Sequence, residues 1–475
     1  MGGKKGENKI NQEFVKEYQS FLNDYLLRLL GFVGKNIIRD EVYKSGNTKL
    51  IDQDDYAITF SVGHWKLFEL STDNGANKLS DDNLALATCV IKEFLIISEY
   101  KWNGGKQNGA YPFANAHGAP EVYKDRVYNM AIQKGICSWV VGQSSYGNID
   151  RMFHILETWA VKTYEGKRVT LGIIIDPEAK SLFDSTYGDF LDFLEDDAAA
   201  VLTDSIHSAV ELDANCNFVR HISVSEKDTF PSCALNHRIP LRFTQLIQQH
   251  VVGKKVGIFL LNNGDIILAK KQSLYFVKRN LQWLNFSYEA FCVALEPFVN
   301  NNKNTQDVLI KSIFASILDV SFSHTGGIVA IIGKPWDATK NPIKSLTEEV
   351  ISGYDNLMRR KTLKELASNP DLSEVERKKR VLKRNAILSL TKGKKFQNID
   401  RKLRSELMAL DGACIMSCTG AVYAFGAIIQ NDSGSAGGSR SAAAKKLSAY
   451  GVAVKISTDG YIEVYINEEA VYAIK

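Results

Sequence analysis

Apolar side chains recur along this chain in two rhythms, a helical one and short runs of β-branched residues, and their alternation predicts an α/β protein. In the first 150 residues, helical stretches such as Gln12 to Phe32 alternate with strand-like runs such as Tyr56 to Phe60. A tract rich in Gly, Asn and Pro, Trp102 to Pro120, separates them as a loop. A more regular block follows: a helix over Met152 to Thr163, then a strand over Val169 to Ile175 ended by Asp176 and Pro177, then an acidic helix. Asn217 to Ser223 and Arg238 to Phe243 also read as strands. Lys255 to Leu261 and Asp265 to Lys270 flank Asn262, Asn263 and Gly264, a hairpin signal because Asn and Gly tolerate positive φ.

The rhythm breaks at Glu296 to Asn304, where Pro297 and a run of asparagines are turn and linker residues, so the main domain boundary is expected there. Beyond it, a helix over Val308 to Phe322 leads through His324, Thr325, Gly326 and Gly327 into Ile328 to Ile332. That run has no polar interruption, as for a strand covered on both faces. Val169 to Pro177 and Gly327 to Pro335 share one order of helix, glycine, strand and proline, which suggests two related α/β units.

A chain of 475 residues exceeds one ordinary core. Three regions are expected: an α/β region over 1–150, a second over 151–300, and a third over 305–475 with a mixed β-sheet flanked by helices. With 45% hydrophobic and 24% charged residues the composition is that of a globular protein, not a disordered one. Gly6 stands where a myristoylation signal carries Ser or Thr, no apolar leader follows, and no run approaches the ~18 apolar residues of a membrane span. The expectation is a cytoplasmic protein with no membrane partner. The seven cysteines are scattered and form no C-x-x-C pair, so free thiols are expected. Cys216, His221, Cys233 and His237 have the right chemistry for zinc, but their spacing is not a standard one and they lie in strand-like sequence. Ordinary core positions are the expectation.

The net charge of +4 conceals a local imbalance: Arg359 to Arg404 holds 16 Lys or Arg against 5 Asp or Glu, an excess of 11, leaving about −7 elsewhere. Such a stretch could meet nucleic acid, a membrane or an acidic partner domain. No aromatic residue lies between Arg359 and Lys395 to stack on bases, so a solvated helical hairpin is favoured over a nucleic-acid site.

The segment richest in chemistry begins at Leu410. Asp411, Gly412 and Ala413 open a strand (Cys414 to Cys418), Thr419 and Gly420 turn it, and Ala421 to Ile429 returns. A carboxylate thus stands at a strand entrance beside a glycine that lets a ligand approach the backbone. A loop of small residues, Asn431 to Gly438, precedes a helix for which Ser439 is the expected N-cap and Gly451 lies past the end. Helix N-terminal amides and the Arg440 guanidinium outline an anion site. Val452 to Ser457 and Tyr461 to Ile466, joined at Asp459 and Gly460, add two closing strands.

In this order the elements of residues 305–475 resemble the diadenylate cyclase domain family. The resemblance implies a mixed, helix-flanked sheet that binds ATP, with two domains face to face so that two ATP molecules become cyclic di-AMP with loss of pyrophosphate. It implies that Asp411 holds Mg or Mn near the attacking 3′-hydroxyl, with Arg440 as its partner in catalysis. Gly412, Ala413, Gly438, Ser439, Arg440 and Ser441 are carried over as nucleotide-binding positions. The family's Gly-Thr-Arg-His-Arg motif continues here with Ser441 and Ala442 in place of His and the second Arg, which removes two phosphate contacts. The basic stretch before Asp411 could supply replacement cations. Three readings follow: a cyclase gated by a sensor region over 1–300 that answers an unknown signal, acting as a homo-oligomer with facing nucleotide domains; a degenerate nucleotide-binding fold; and a nucleic-acid-binding protein that uses the basic segment.

Overall fold

The computed structural model describes residues 20–26, 29–30, 34–39, 49–53, 57–62, 66–72, 81–102, 121–141, 146–181, 189–224, 236–299, 302–333, 373–429 and 438–474. They form helices and mixed sheets, the α/β class expected. Two compact units divide the chain: Met1–Ser225 with Leu246–Ser287, and Glu226–Gln245 with Tyr288–Lys475. The loops expected over Trp102 to Pro120 and Asn431 to Gly438 lie, but for their first or last residue, outside the described residues, as does most of the Gln12 to Phe32 helix.

In the first unit, strands β1 (Gly34–Arg39), β2 (Lys49–Gln53), β3 (Ala57–Val62) and β4 (Lys66–Thr72) form a sheet in the order β1-β4-β3-β2. Helices α1 (Asp81–Trp102), α2 (Glu121–Val141) and α3 (Tyr146–Trp159) follow. Their buried faces share a core with Phe21, which stacks on Phe94 at 4.1 Å between ring centres. A short ribbon, β5 (Thr163–Tyr164) with β6 (Lys167–Arg168), leads to β7 (Leu171–Ile175), β8 (Ser208–Leu212) and β9 (Phe218–Ser223). The small helix α4 (Phe190–Leu194) lies between β7 and β8, held by a reciprocal Asp189–Asp192 capping box. Helix α5 (Thr244–His250) precedes β10 (Val256–Leu260), β11 (Ile266–Lys270), β12 (Ser273–Arg279) and β13 (Gln282–Asn285). The sheet runs β13-β12-β11-β10-β7-β8-β9, and every β7 residue is buried.

The second unit contains α6 (Tyr288–Leu295), α7 (Lys303–Phe322), β14 (Gly327–Ile332), α8 (Glu374–Thr391), α9 (Arg401–Met408), β15 (Ala413–Ser417), β16 (Val422–Ala427), α10 (Gly438–Ser448), β17 (Gly451–Ile456), β18 (Ile462–Ile466) and β19 (Glu469–Ile474). Its sheet runs β16-β15-β14-β17-β18-β19. Residues 328–332 are buried throughout, which explains the absence of polar alternation. One packed face collects Ile328, Ala330, Ile332, Ile415 and Ala453 against Ala443, Ala444 and Leu447 of α10.

The two larger sheets use one topology. In each, the first strand pairs parallel with the second and antiparallel with the fourth: Ile175 faces Leu212 and Val256, and Ile331 faces Met416 and Val452. The turns agree bond for bond. The Asp213 N–H donates to the Asn217 carbonyl at 2.9 Å while its carboxylate accepts from the N–H groups of Asn215 and Asn217. Likewise the Ser417 N–H donates to the Ala421 carbonyl at 2.9 Å while its hydroxyl accepts from those of Thr419 and Ala421. The following hairpins turn at Gly264 (φ 88°) and Gly460 (φ 79°), then at Lys271–Gln272 and Asn467–Glu468, all with positive φ. Even the register break recurs, between Leu268 and Ala269 and between Val464 and Tyr465.

Several expectations are corrected. Arg238 to Phe243 is no strand but a turn and a 3₁₀ turn, because Pro240 lacks an N–H and the Leu241 N–H donates to the Asp319 carboxylate at 2.7 Å. Pro297 sits in a 3₁₀ turn, and Asn302 is the N-cap of α7, accepting from the Thr305 N–H, so this end of the expected linker starts a helix. The helix expected from Met152 begins at Tyr146 and ends at Trp159. The closing hairpin gains a further strand, β19, which the Asn467–Glu468 turn returns against β18.

Candidate functional site

The basic stretch divides in two. Helix α8 is solvated, with Ser373 and Glu376 forming its capping box. Helix α9, expected to share that solvated face, instead turns two arginines inward. Arg401 donates to both Asp319 carboxylate oxygens at 2.8 Å and to the Ile239 carbonyl at 2.6 Å. Arg404 donates to the Ser316 hydroxyl at 2.9 Å and to the Ile399 carbonyl at 3.2 Å. Burial, reinforced by the charge of Arg401, pulls the Arg404 guanidinium down to about 10. These bonds fix α9, and α9 delivers the chain to Asp411.

Asp411 is exposed at the entrance to β15. Gly412 beside it has φ 107°, and a Cβ there would lie 2.5 Å from the Gly426 carbonyl carbon and 2.7 Å from the Ala427 oxygen. Only glycine permits this approach of backbone to backbone. Gly426 occupies a bulge: Ala413 faces Ala427, but Ile415 faces Ala424, so β16 carries one residue more. The corresponding pairs of the first unit, Ala209 with Ile222 and Glu211 with Arg220, stay in step.

Arg440 reaches the same end of the sheet. Helix α10 begins at Gly438, so Ser439 lies in its first turn and is not the residue before it. A Cβ on Gly326 would come within 2.8 Å of Arg440 Nη1 and 3.0 Å of Cζ, so the guanidinium lies against that glycine (φ 71°). Ile328 faces Ala413 across the parallel pair. Gly326 and Asp411, each two residues before these, therefore stand at one end of adjacent strands, which lie about 4.8 Å apart. Among the described residues, neither Asp411 nor Arg440 has an ion-pair partner.

The remaining positions divide. Gly412, Gly438 and Ser439 sit around this end, while Ala413 is fully buried in β15. Ser441 is 4% exposed and hydrogen bonds Tyr465, whose hydroxyl donates to Glu463 at 2.9 Å. Burial and Glu463 push the Tyr465 phenol up to about 12. Sequence reasoning passed over Gly426 and Lys383, whose ammonium donates to the Gly426 carbonyl at 2.8 Å. A glycine inside an apolar strand was the available signal for the bulge.

For a divalent metal, Asp411 is a single protein carboxylate, and no group of three or more His, Cys, Asp or Glu that could hold a metal ion occurs among the described residues. That donor set fits Mg, which is commonly held by one or two carboxylates with phosphate oxygens and water. Of the four residues with zinc chemistry, Cys216 is buried in the first unit's core at a positive-φ turn position, and burial pushes its thiol up to about 12. His221 Nε2 contacts the Leu202 carbonyl at 3.2 Å. His237 belongs to the second unit, edge-on to Tyr288, and Cys233 lies outside the described residues.

The matching turns align His207 and Ser208 of the first unit with Asp411 and Gly412. There the nearby carboxylate, Asp204, is engaged internally: it accepts from the N–H groups of Ile206, His207 and Ser208 and contacts the His207 ring at 2.7 Å. Burial alone would raise it, but these bonds hold it down at about 2. Comparison with known proteins gives no match: no family model fits the chain, and no curated protein or solved structure is significantly similar.

Proposed function

We propose that the second unit binds ATP at the end of its sheet and acts as a diadenylate cyclase, with Asp411 and Arg440 as its working charges. The observation that carries this reading is the convergence of an exposed aspartate and a guanidinium on adjacent strand ends, where Gly326 leaves room for the guanidinium and Gly412 lets the backbones of β15 and β16 come close. In the reaction, each ATP 3′-oxygen forms a bond to the other ATP's α-phosphorus, the bond to pyrophosphate breaks, and two protons leave to solvent. Arg440, in the first turn of α10, would bind phosphate oxygens together with the helix amides. Asp411 would hold Mg or Mn, which supplies charge neutralisation at the phosphates. Since His207 stands in the first unit where Asp411 stands in the second, two such sites would require two chains, and a homo-oligomer follows.

The test is incubation of the full chain with ATP and Mg²⁺ or Mn²⁺, with products read by mass spectrometry. Cyclic di-AMP and pyrophosphate are expected, at a specific activity that rises with protein concentration. ATP binding with no product under either metal would favour the second reading, a nucleotide-binding fold without turnover. One observation speaks for that alternative: Ser441, where the family pattern has His, faces the sheet, and Ala442 offers no donor in place of the second Arg.

A further inference from the structure

Among the described residues, seven large apolar side chains are more than half exposed, and five of them lie in two places: Val375, Leu382 and Leu390 on α8, and Val161 and Val201 in the first unit. On α8 the spacing of Val375, Leu382, Ala386 and Leu390 puts them on one face, while Ile387 and Thr391 turn the opposite face inward. The helix is therefore apolar on the side that meets solvent as well, which burial in its own unit does not explain. Exposed Lys378 and Lys379 lie within that outer face, and exposed Lys392, Lys394 and Lys395 follow the helix end. Over residues 373–395, nine Lys or Arg stand against two Glu. The other place has the opposite charge. Val161 follows α3, and Val201 ends the 3₁₀ turn Asp197–Val201 that comes after α4, with the Lys162–Asp197 ion pair tying the two segments together. The same stretch carries Asp189, Asp192, Glu195, Asp196 and Asp197. Arg151 and Lys162 are the cations paired with these five acids among the described residues, which leaves three negative charges in excess.

We propose that the outer face of α8 docks on the acidic, apolar face around Val201 of a second copy of this chain. Each face offers what the other lacks: aliphatic side chains to cover aliphatic side chains, and an excess of cations to meet an excess of carboxylates. Another α8 does not fit as the occupant, because the two basic helices would repel. A bilayer fits poorly, since Lys378, Lys379 and Ser389 interrupt the apolar line, whereas a helix lying in a membrane surface needs an apolar side of its own. Nucleic acid would use the lysines and leave three exposed aliphatic side chains uncovered. Each chain carries one face of each kind, so the contact closes reciprocally in a dimer or continues from chain to chain. It is distinct from the pairing of nucleotide sites proposed above and does not depend on ATP binding.

The experiment is light scattering of the full-length wild type, Leu382→Glu and Val201→Lys over a range of concentrations, without nucleotide. The two positions are 67% and 68% exposed, so both variants should fold, and thermal melting checks this. The wild type is expected to self-associate, more weakly as salt shortens the screening length from about 10 Å at 0.1 M to about 3 Å at 1 M. Each variant should lose at least about tenfold in association, because it sets like charge against like charge. An equimolar mixture of the two should recover it, since one chain's intact α8 meets the other's intact acidic face and the two substituted faces carry opposite charges. A wild type that stays monomeric at every concentration would overturn the proposal, and its sedimentation with phosphatidylserine vesicles would then assign the face to a membrane. Variants that associate as the wild type does would also overturn it, leaving the pairing of nucleotide sites as the interface. So would a mixture that fails to recover, or association that strengthens with salt.

Discussion

The two large sheets follow one path through strands, turns and even a register break, yet they treat charge in opposite ways. The first buries a carboxylate among cationic partners. Glu211, 1% exposed, lies 2.5 Å from both Arg220 and Lys255, and Lys255 also contacts Asp176 at 2.9 Å. Where the strands of the second sheet match these positions they carry Ile332, Ile415 and Ala424, so its sheet is apolar there. At the opposite end the contrast reverses: Asp204 is closed by its own loop, while Asp411 and Arg440 are left open over glycines. One topology therefore closes a carboxylate into its loop in one copy and leaves a carboxylate exposed in the other, and under the function proposed above it is the departures from the shared plan that would carry the chemistry.

The sharpest way to break this comparison is to remove the bonds that support the open end. Arg401→Met leaves Asp319 buried without its cationic partner and loosens α9, with an expected cost of about 3–5 kcal/mol. For a unit of this size that moves its melting transition by on the order of 10 °C. Arg151 of the first unit pairs with Asp189, Asp192 and Glu195 but is 36% exposed, so Arg151→Met should cost about 1 kcal/mol or less. Calorimetry of both variants checks the contrast, and equal shifts would contradict it.

Chemistry comes next. Asp411→Asn should lower cyclic dinucleotide formation about a hundredfold or more while the protein stays folded. His207→Ala, at the matching position of the first unit, should leave turnover within about twofold. Pyrophosphate release measured side by side decides; a comparable loss in both would mean that the first unit also takes part.

Much of this was legible in the residues. The unbroken run Ile328 to Ile332, the Asn-Asn-Gly and Asp-Gly turns and the strand begun at Ala413 depend on local chemistry and are found where periodicity puts them. The shared order of two segments pointed to related units, though only pairing reveals how far the likeness goes. What was illegible depended on distant partners. Nothing near Arg401 in sequence announces that Asp319 will hold it, so a basic stretch reads as solvent-facing throughout. Arg238 to Phe243 has a strand's composition, but its backbone donor goes to a side chain on another helix. The Gly426 bulge follows from register, which the sequence of one strand alone does not set.

The glycines offer a finer test. Gly412→Ala brings a Cβ to 2.5 Å from backbone that cannot step aside, besides an unfavourable φ of 107°, and should cost about 3 kcal/mol with a larger fractional loss of ATP binding. Gly166 of the first unit has φ 77° with nothing within 4 Å of the added carbon, so Gly166→Ala should cost only about 1 kcal/mol of strain. Denaturant melts of the two variants would measure the difference, and a cost for Gly412→Ala no larger than that for Gly166→Ala would deny that the site's backbone is tightly apposed.

The smallest expected effect concerns the carboxylate that the first unit keeps to itself. Burial opposes the charge of Asp204, but the His207 ring and three backbone N–H groups outweigh it and hold the group at about 2, below its ordinary 3.8. A carboxylate depressed on folding contributes stability that is present above its unfolded value and lost as pH falls through its folded value. Wild type should therefore exceed Asp204→Asn in stability above about pH 4, and that advantage should shrink between pH 4 and 2 as the carboxylate takes up a proton. Asparagine retains one acceptor oxygen, so part of the loop's backbone bonding survives and the gap is modest. Thermal melts of both proteins at pH 5 and pH 2.5 isolate this one group from the other acids, which titrate alike in both. A gap that stays constant or widens in acid would mean that Asp204 does not close its loop as an anion, and the contrast with an open Asp411 would lose its electrostatic basis.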